Sequence, residues 1–294
     1  MCAEPGMQLK MSEADRAKNP PRRPIGVFDS GVGGLSVLRE IRRELPGEDL
    51  LYVADSGHAP YGDKPTELIE ARAIAIVEFL LSRNAKAIVV ACNTATGVAI
   101  KMLRARFSVP IVAMEPAVKP AVAITTSGVI GVLATGRTIA SDNFTRLHER
   151  FGADVKILMQ ACPGQVEQVE TGDLASGKTR ALIKRYVLPL LEQRADTIVL
   201  GCTHYPFLIP LILEIAGSSV AIIDPSAAIA RELRRRLSSA DLLSFEERAG
   251  IEQFWTSAVT DVAQSVISQL WQADADVQRL PTASTAWRSS RYRD

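Results

Sequence analysis

The chain has 294 residues, of which 47% are hydrophobic and 23% charged, with a formal net charge of +1. This is the make-up of a globular protein with one large domain or two modest ones and material for a sizeable core. The near-neutral balance excludes a global field that would draw the chain to nucleic acid or an acidic membrane surface, and no uninterrupted apolar run reaches membrane-spanning length.

The first residues carry acids, lysines and prolines without the apolar stretch of a secretory signal. Residues 1–23 therefore read as a disordered extension, with Met7 or Met11 as alternative starts. Strand-like runs follow at 24–29 (PIGVFD), 49–55, 85–92, 109–115, 128–134, 155–160, 196–202 and 220–224. Amphipathic stretches such as 35–45 and 66–84 lie between them. This alternation predicts an α/β fold with mainly parallel, doubly wound (flavodoxin-like) sheets. Runs such as IVVA do not alternate in polarity because a parallel strand is covered on both faces. The basic cluster RELRRRL at 231–237 places Leu233 and Leu237 at helical spacing, so it reads as the solvated side of an amphipathic helix. A late strand and helix follow in 251–271, and 276–294 reads as a disordered tail.

Three landmarks recur in order at similar separations. GVFDS at 26–30 matches GVLAT at 131–135, ACNTA at 91–95 matches GCTHY at 201–205, and AMEPAV at 113–118 matches IIDPSA at 222–227. We read two pseudo-symmetric α/β domains, the first from 24–117 plus 224–275 and the second from 118–223.

Ligands in doubly wound sheets bind beyond the carboxyl ends of the strands. Asp29, Cys92, Thr135 and Cys202 each follow an apolar strand, so two facing halves would gather all four in one cleft. There are four cysteines, without CxxC spacing, which argues against a disulfide framework and a structural zinc site and suits a reducing cytoplasm. Cys162 reads as a core thiol, since free cysteine is among the most buried residue types. Cys92 and Cys202 instead run into Asn93-Thr94 and Thr203-His204, helix-starting residues rich in donors. The glycine-rich turn DSGVGGLS at 29–36 offers backbone amides for a carboxylate or phosphate, and a tight turn is its plain alternative. Asp29 would repel a phosphate there, so it suits an ammonium group or a neighbouring proton carrier. In HAPYGDK at 58–64, Pro60-Tyr61-Gly62 marks a turn whose tyrosine is either a satisfied core residue or a ligand contact. His204, two residues past Cys202, suits proton relay better than metal ligation, because no further ligands are grouped with it.

One cysteine and a histidine suffice for a thiol hydrolase. Two cysteines at equivalent positions suit inversion of a stereocentre, one thiolate removing a proton while the opposing thiol returns one. A free thiol, with a pKa of about 8.5, is a usable base. DSGVGGLS, PYG, ACNTA, GVLAT and GCTHYP together resemble the glutamate racemases of the aspartate/glutamate racemase family, from about Pro24 to about Trp271. The resemblance implies a cytoplasmic enzyme without cofactor or metal, commonly a homodimer, interconverting L- and D-glutamate for peptidoglycan, in some members with a peptidoglycan-precursor activator. The charge balance and the apolar run lengths, for their part, lead us to expect no nucleic-acid partner and no membrane. The resemblance makes Cys92 the base toward D-glutamate, assisted by Asp29, and Cys202 the base toward L-glutamate, assisted by His204. An assisting carboxylate falls on Glu170, with Glu167 the other choice. Substrate contacts fall on Asp29, Ser30, Pro60, Tyr61, Gly62, Cys92, Asn93, Thr94, Thr135, Cys202, Thr203 and His204. An aspartate racemase with the same paired thiols and a binding module without turnover are the other readings.

Overall fold

The structure, a computed structural model, describes residues 23–152, 155–244 and 248–281. Most of the expected extension, with Met7 and Met11, and the end of the expected tail lie outside these residues. Strands β1 (Ile25–Asp29), β2 (Leu50–Ala54), β3 (Ala87–Val90) and β4 (Ile111–Ala113) alternate with helices α1 (Leu35–Glu44), α2 (Thr66–Ser82) and α3 (Asn93–Arg106). Helix α4 (Val118–Ile124) leads into β5 (Val129–Ala134), α5 (Gly136–Ile139), α6 (Asp142–Phe151), β6 (Lys156–Ala161), α7 (Gln165–Glu170), α8 (Gly177–Glu192), β7 (Thr197–Gly201), α9 (Ile209–Ala216) and β8 (Ala221–Ile223). The described residues end in α10 (Ser226–Ser239), β9 (Glu252–Thr256), α11 (Thr260–Trp271) and β10 (Val277–Arg279).

Two sheets result, one ordered β10-β9-β2-β1-β3-β4 and the other β6-β5-β7-β8, and every ladder among the described residues is parallel. Counted within each half, β2-β1-β3-β4 and β6-β5-β7-β8 have the same strand order, which is the three-dimensional form of the repeated landmarks. In both, the order reverses between the first and third strands, and a crevice opens at such a switch point.

The non-alternating strands are covered on both faces. Val27 and Val89 enter one apolar cluster with Leu35, Leu38 and Ile41 of α1, while Phe28, Ile88 and Val90 enter another with Ile76 and Leu80 of α2 and Ala99 and Leu103 of α3. The first cluster continues into the second half through Leu133, Ile198 and Leu200. Helix α10 buries Leu233 and Leu237, while Arg235 and Arg236 meet Glu232 and Arg234 meets Glu44, so its basic stretch is a solvated, paired face.

The expected disordered tail requires a correction. Residues 277–279 form β10, which pairs with β9; Val277 and Leu280 are buried, and the Leu280 N–H donates to the Thr256 carbonyl at 2.7 Å. Three residues are too few for a periodic signal, and their order comes from a sheet edge built elsewhere in the chain. Leu280→Ala is expected to lower unfolding stability by about 2 kcal/mol, read from denaturant titration; an unchanged midpoint would remove the strand from the folded core.

Candidate active site

The site grows from the ends of four strands. At the end of β1 the chain turns through Ser30–Gly34 into α1, and the turn is pinned by the Tyr52 hydroxyl, which donates to the Gly31 carbonyl at 2.7 Å. Asp29 is fully buried and accepts from the Gly34 N–H at 2.8 Å and from Thr203 Oγ1 at 3.3 Å. Two amides of the turn are thus committed to carboxylates of the protein itself, because the Val32 N–H donates to Glu170 at 2.7 Å.

Cys92 follows β3 as the N-cap of α3, where its sulfur accepts from the Ala95 N–H at 3.4 Å. Its thiol donates to Ser30 Oγ at 3.6 Å, and Ser30 donates to Asp29 Oδ1 at 3.4 Å. Burial, and then the neighbouring Asp29 charge, push the Cys92 thiol well above its ordinary pKa, against the pull of the Ala95 N–H. Burial also raises Asp29, against the attraction of His204 and its hydrogen bond with Cys92. Burial thus shifts both groups on this side toward their protonated forms.

Cys202 follows β7, and its sulfur lies 3.7 Å from His204 Nδ1. The far ring nitrogen, Nε2, meets Glu170 Oε1 at 2.6 Å, and Glu170 Oε2 accepts from Ser56 Oγ at 2.8 Å. Burial alone would lower the His204 pKa, but its hydrogen bonds with Cys202 and Glu170 and their charges hold it well above the usual value. Glu167, one turn earlier on α7, is exposed.

Thr135 caps α5, accepting from the Thr138 N–H at 3.2 Å. The hydroxyls of Thr94, Thr135 and Thr138 form a triangle with sides of 3.0, 3.2 and 2.9 Å that joins the two halves. Asn93 is buried with neither amide atom hydrogen-bonded. An unpaired buried amide costs about 1–3 kcal/mol, so a ligand that completes it is favoured. Tyr61 lies one residue beyond a cis Ala59–Pro60 peptide, and its hydroxyl donates to Asp55 Oδ2 at 2.5 Å. Arg72 grips Asp55 with two hydrogen bonds of 2.9 and 2.7 Å, and His58 Nδ1 lies 3.1 Å from it. Burial opposes ionisation of Asp55, yet Arg72 and Tyr61 hold its pKa below the ordinary value.

Ser30, Pro60, Tyr61, Gly62, Cys92, Asn93, Thr94, Thr135, Cys202, Thr203 and His204 all line one cavity, together with Val166 and Gly201. Asp29 and Glu170 stand behind its wall, bonded to residues that line it. The cavity volume is about 10 Å³, room for roughly one water. Cys162 is buried in the apolar core, its thiol 3.3 Å from the Gln160 carbonyl. Five residues join this surround without having been singled out in the sequence: Asp55, Ser56, Arg72, Thr138 and Val166. Asp55 ends an apolar strand as Asp29 does, so the same edge rule points to it, whereas Arg72 and Val166 carry no local signal. Among the described residues no group of three or more His, Cys, Asp or Glu side chains is arranged to hold a metal ion, and no helix is long and apolar enough to cross a membrane.

The sequence profile of the Asp/Glu/Hydantoin racemase family matches residues 25–233. A glutamate racemase of Methylococcus capsulatus is 57% identical over 263 residues, covering 90% of this chain and 97% of that protein. Among solved structures, a glutamate racemase isoform of Bacillus anthracis is 32% identical with a TM-score of 0.80, covering 88% of this chain and 97% of that one. The Escherichia coli glutamate racemase, solved with L-glutamate and the activator UDP-MurNAc-ala, is 34% identical with a TM-score of 0.78, covering 88% and 98%. Two thiols at the switch points of two like sheets, in a chain matched by that profile over most of its length, place it in the Asp/Glu/Hydantoin racemase family.

Proposed function

We propose that this chain interconverts L- and D-glutamate without a cofactor, by proton transfer between two cysteines. The observation that carries this reading is the pair of buried thiols, Cys92 and Cys202, lining one cavity from two different sheets, each with its own hydrogen-bonded chain of proton carriers. Cys202, as thiolate, takes the α-proton of L-glutamate; the electron pair stays on the α-carbon beside the carboxylate, and the Cys92 thiol donates its proton to the opposite face. The reverse reaction exchanges the roles. Asp29 serves Cys92, directly and through Ser30, and His204 with Glu170 serves Cys202. The carbanionic charge is met by preorganised donors, Asn93, Thr94 and Thr203, which is where such sites gain most of their rate. Pro60, Tyr61, Gly62 and Thr135 complete the substrate contacts. A cavity this small receives glutamate only when the cleft widens, so closure belongs to the catalytic cycle.

The halves of this cleft are assigned as 24–117 with 224–275, to whose sheet β10 adds an edge, and 118–223, meeting near the ends of β4 and β8. Glutamate as substrate is supported by the names of the relatives with which the chain is collinear. By the same likeness we propose that the enzyme acts in the cytoplasm as a homodimer and supplies D-glutamate to peptidoglycan; activation by a peptidoglycan precursor, as in the Escherichia coli relative solved with UDP-MurNAc-ala, is tested by adding that compound to the assay. In deuterated water with L-glutamate and no added cofactor, the protein is expected to yield D-glutamate carrying deuterium at the α-carbon, read by chiral chromatography and mass spectrometry. Folded protein that shows neither inversion nor α-exchange sinks the reading, and turnover of aspartate alone moves it to the sister activity.

A further inference from the structure

The relay behind Cys202 is not held by its own half of the molecule. Its last member, Glu170, receives three donors: His204 Nε2 at 2.6 Å from the same half, and the Val32 N–H at 2.7 Å and Ser56 Oγ at 2.8 Å from the other. The glycine-rich turn between β1 and α1 is shaped around this relay. A Cβ on Gly31 would lie 1.8 Å from Glu170 Oε1, and one on Gly33 would lie 2.3 Å from His204 Nδ1. Neither residue is among the glycines with positive φ. Their lack of a side chain is therefore required by the space the relay occupies, and the backbone conformation does not demand it. The alternative use of such a turn, as a cradle for a ligand phosphate, is closed, because Val32 and Gly34 already donate to Glu170 and Asp29.

We propose that the turn containing Gly31, Val32 and Gly33, together with Ser56, is a socket in the Cys92 half that positions the His204–Glu170 relay of Cys202. The inference rests on the two-thiol reading and extends it: the Cys202 base is complete only when the two halves meet. Cys92 depends on the other half less: its own hydrogen-bond partners, Ser30, Asp29 and the Ala95 N–H, lie in its own half, and only Asp29 behind it reaches across, accepting from Thr203 Oγ1 at 3.3 Å. Ser56 is a positioning residue. Its hydroxyl fixes one oxygen of Glu170 so that the other faces His204, and small misplacements of such a group are felt strongly in rate.

The test uses Ser56→Ala in the whole protein, with turnover measured from both enantiomers and with α-deuterated L- and D-glutamate. Loss of a hydrogen bond to a charged group predicts a drop in kcat of about tenfold. The decisive readout is the isotope effect. Proton transfer at Cys202 becomes limiting in both directions, so the effect rises for deuterated L-glutamate, whose label Cys202 removes. It falls toward unity for deuterated D-glutamate, whose label has left before the slow step. Ser56→Thr, which keeps the hydroxyl, restores wild-type values, and Gly31→Ala shifts the isotope effects in the same sense as Ser56→Ala with a larger loss of rate. Unchanged or equally altered isotope effects in Ser56→Ala, with an active wild type, overturn the socket alone. A wild type that does not racemise glutamate overturns the functional reading and the socket with it.

Discussion

Cys92→Ser and Cys202→Ser are each expected to reduce inversion of glutamate by about a thousandfold, the scale of a lost general acid or base. The substitution changes a single atom at buried positions, so circular dichroism and the thermal midpoint should stay near wild type while turnover collapses. Serine keeps the hydrogen-bonding role: at position 92 it can still accept from the Ala95 N–H and donate to Ser30. What it lacks is acidity, since a hydroxyl neither ionises at neutral pH nor carries a negative charge as sulfur does. The two variants should also differ. With Cys202 replaced, Cys92 still removes the α-proton of D-glutamate, so that enantiomer exchanges with deuterated water while L-glutamate does not. With Cys92 replaced, the pattern reverses. Either variant racemising at the full rate would reduce the mechanism to one base, as in a thiol hydrolase site.

The difference in surroundings sharpens this expectation. On the Cys92 side, burial keeps both the thiol and Asp29 inclined to hold protons. On the Cys202 side, His204 is held toward its charged form between sulfur and carboxylate. The reaction as proposed is symmetric in outcome and uses unlike acids to reach it.

Much of this site was legible in the sequence because strand ends are legible. Short β-branched runs marked all eight strands of β1 to β8, and the carboxyl-edge rule turned their last residues into Asp29, Cys92, Thr135 and Cys202. The repeat supplied the pairing, and the common strand order of the two sheets is its physical cause. The glycine-rich turn was legible as a binder of a carboxylate or phosphate, or as a plain tight turn, but not that its partner would be the protein's own Glu170, which lies 138 residues from Val32. Ser56 and Arg72 failed to signal for the same reason. A serine in a short loop and an arginine on a helix face have many ordinary explanations, and only the fold brings them to Glu170 and Asp55. The strand at Val277–Arg279 was hidden differently, its order supplied by β9.

Asp55 is where that blind spot has the largest consequence. Its carboxylate is fully buried and takes hydrogen bonds from Tyr61 and, through two contacts, from Arg72, so one side chain ties α2 to a wall of the cavity. Asp55→Ala removes the acceptor but leaves a buried phenol and a mostly covered guanidinium behind. Breaking one partner of such a pair is expected to cost about 3 kcal/mol, the low end because Arg72 keeps some contact with solvent. Activity should suffer chiefly through KM, since Tyr61 lines the cavity without touching either thiol's relay. Asp55→Asn should fall between, keeping an acceptor for Tyr61 while losing the charge that Arg72 faces. The pH dependence fixes the cause. Because the folded-state pKa of Asp55 lies below the unfolded value near 3.8, its contribution is complete above that pH and disappears as pH falls through the folded value. The stability gap between wild type and Asp55→Ala, read from urea midpoints, should therefore be wide and constant near neutrality and narrow only in acid. A gap that does not narrow in acid would mean that the carboxylate's charge is not what holds Tyr61 and Arg72 in place.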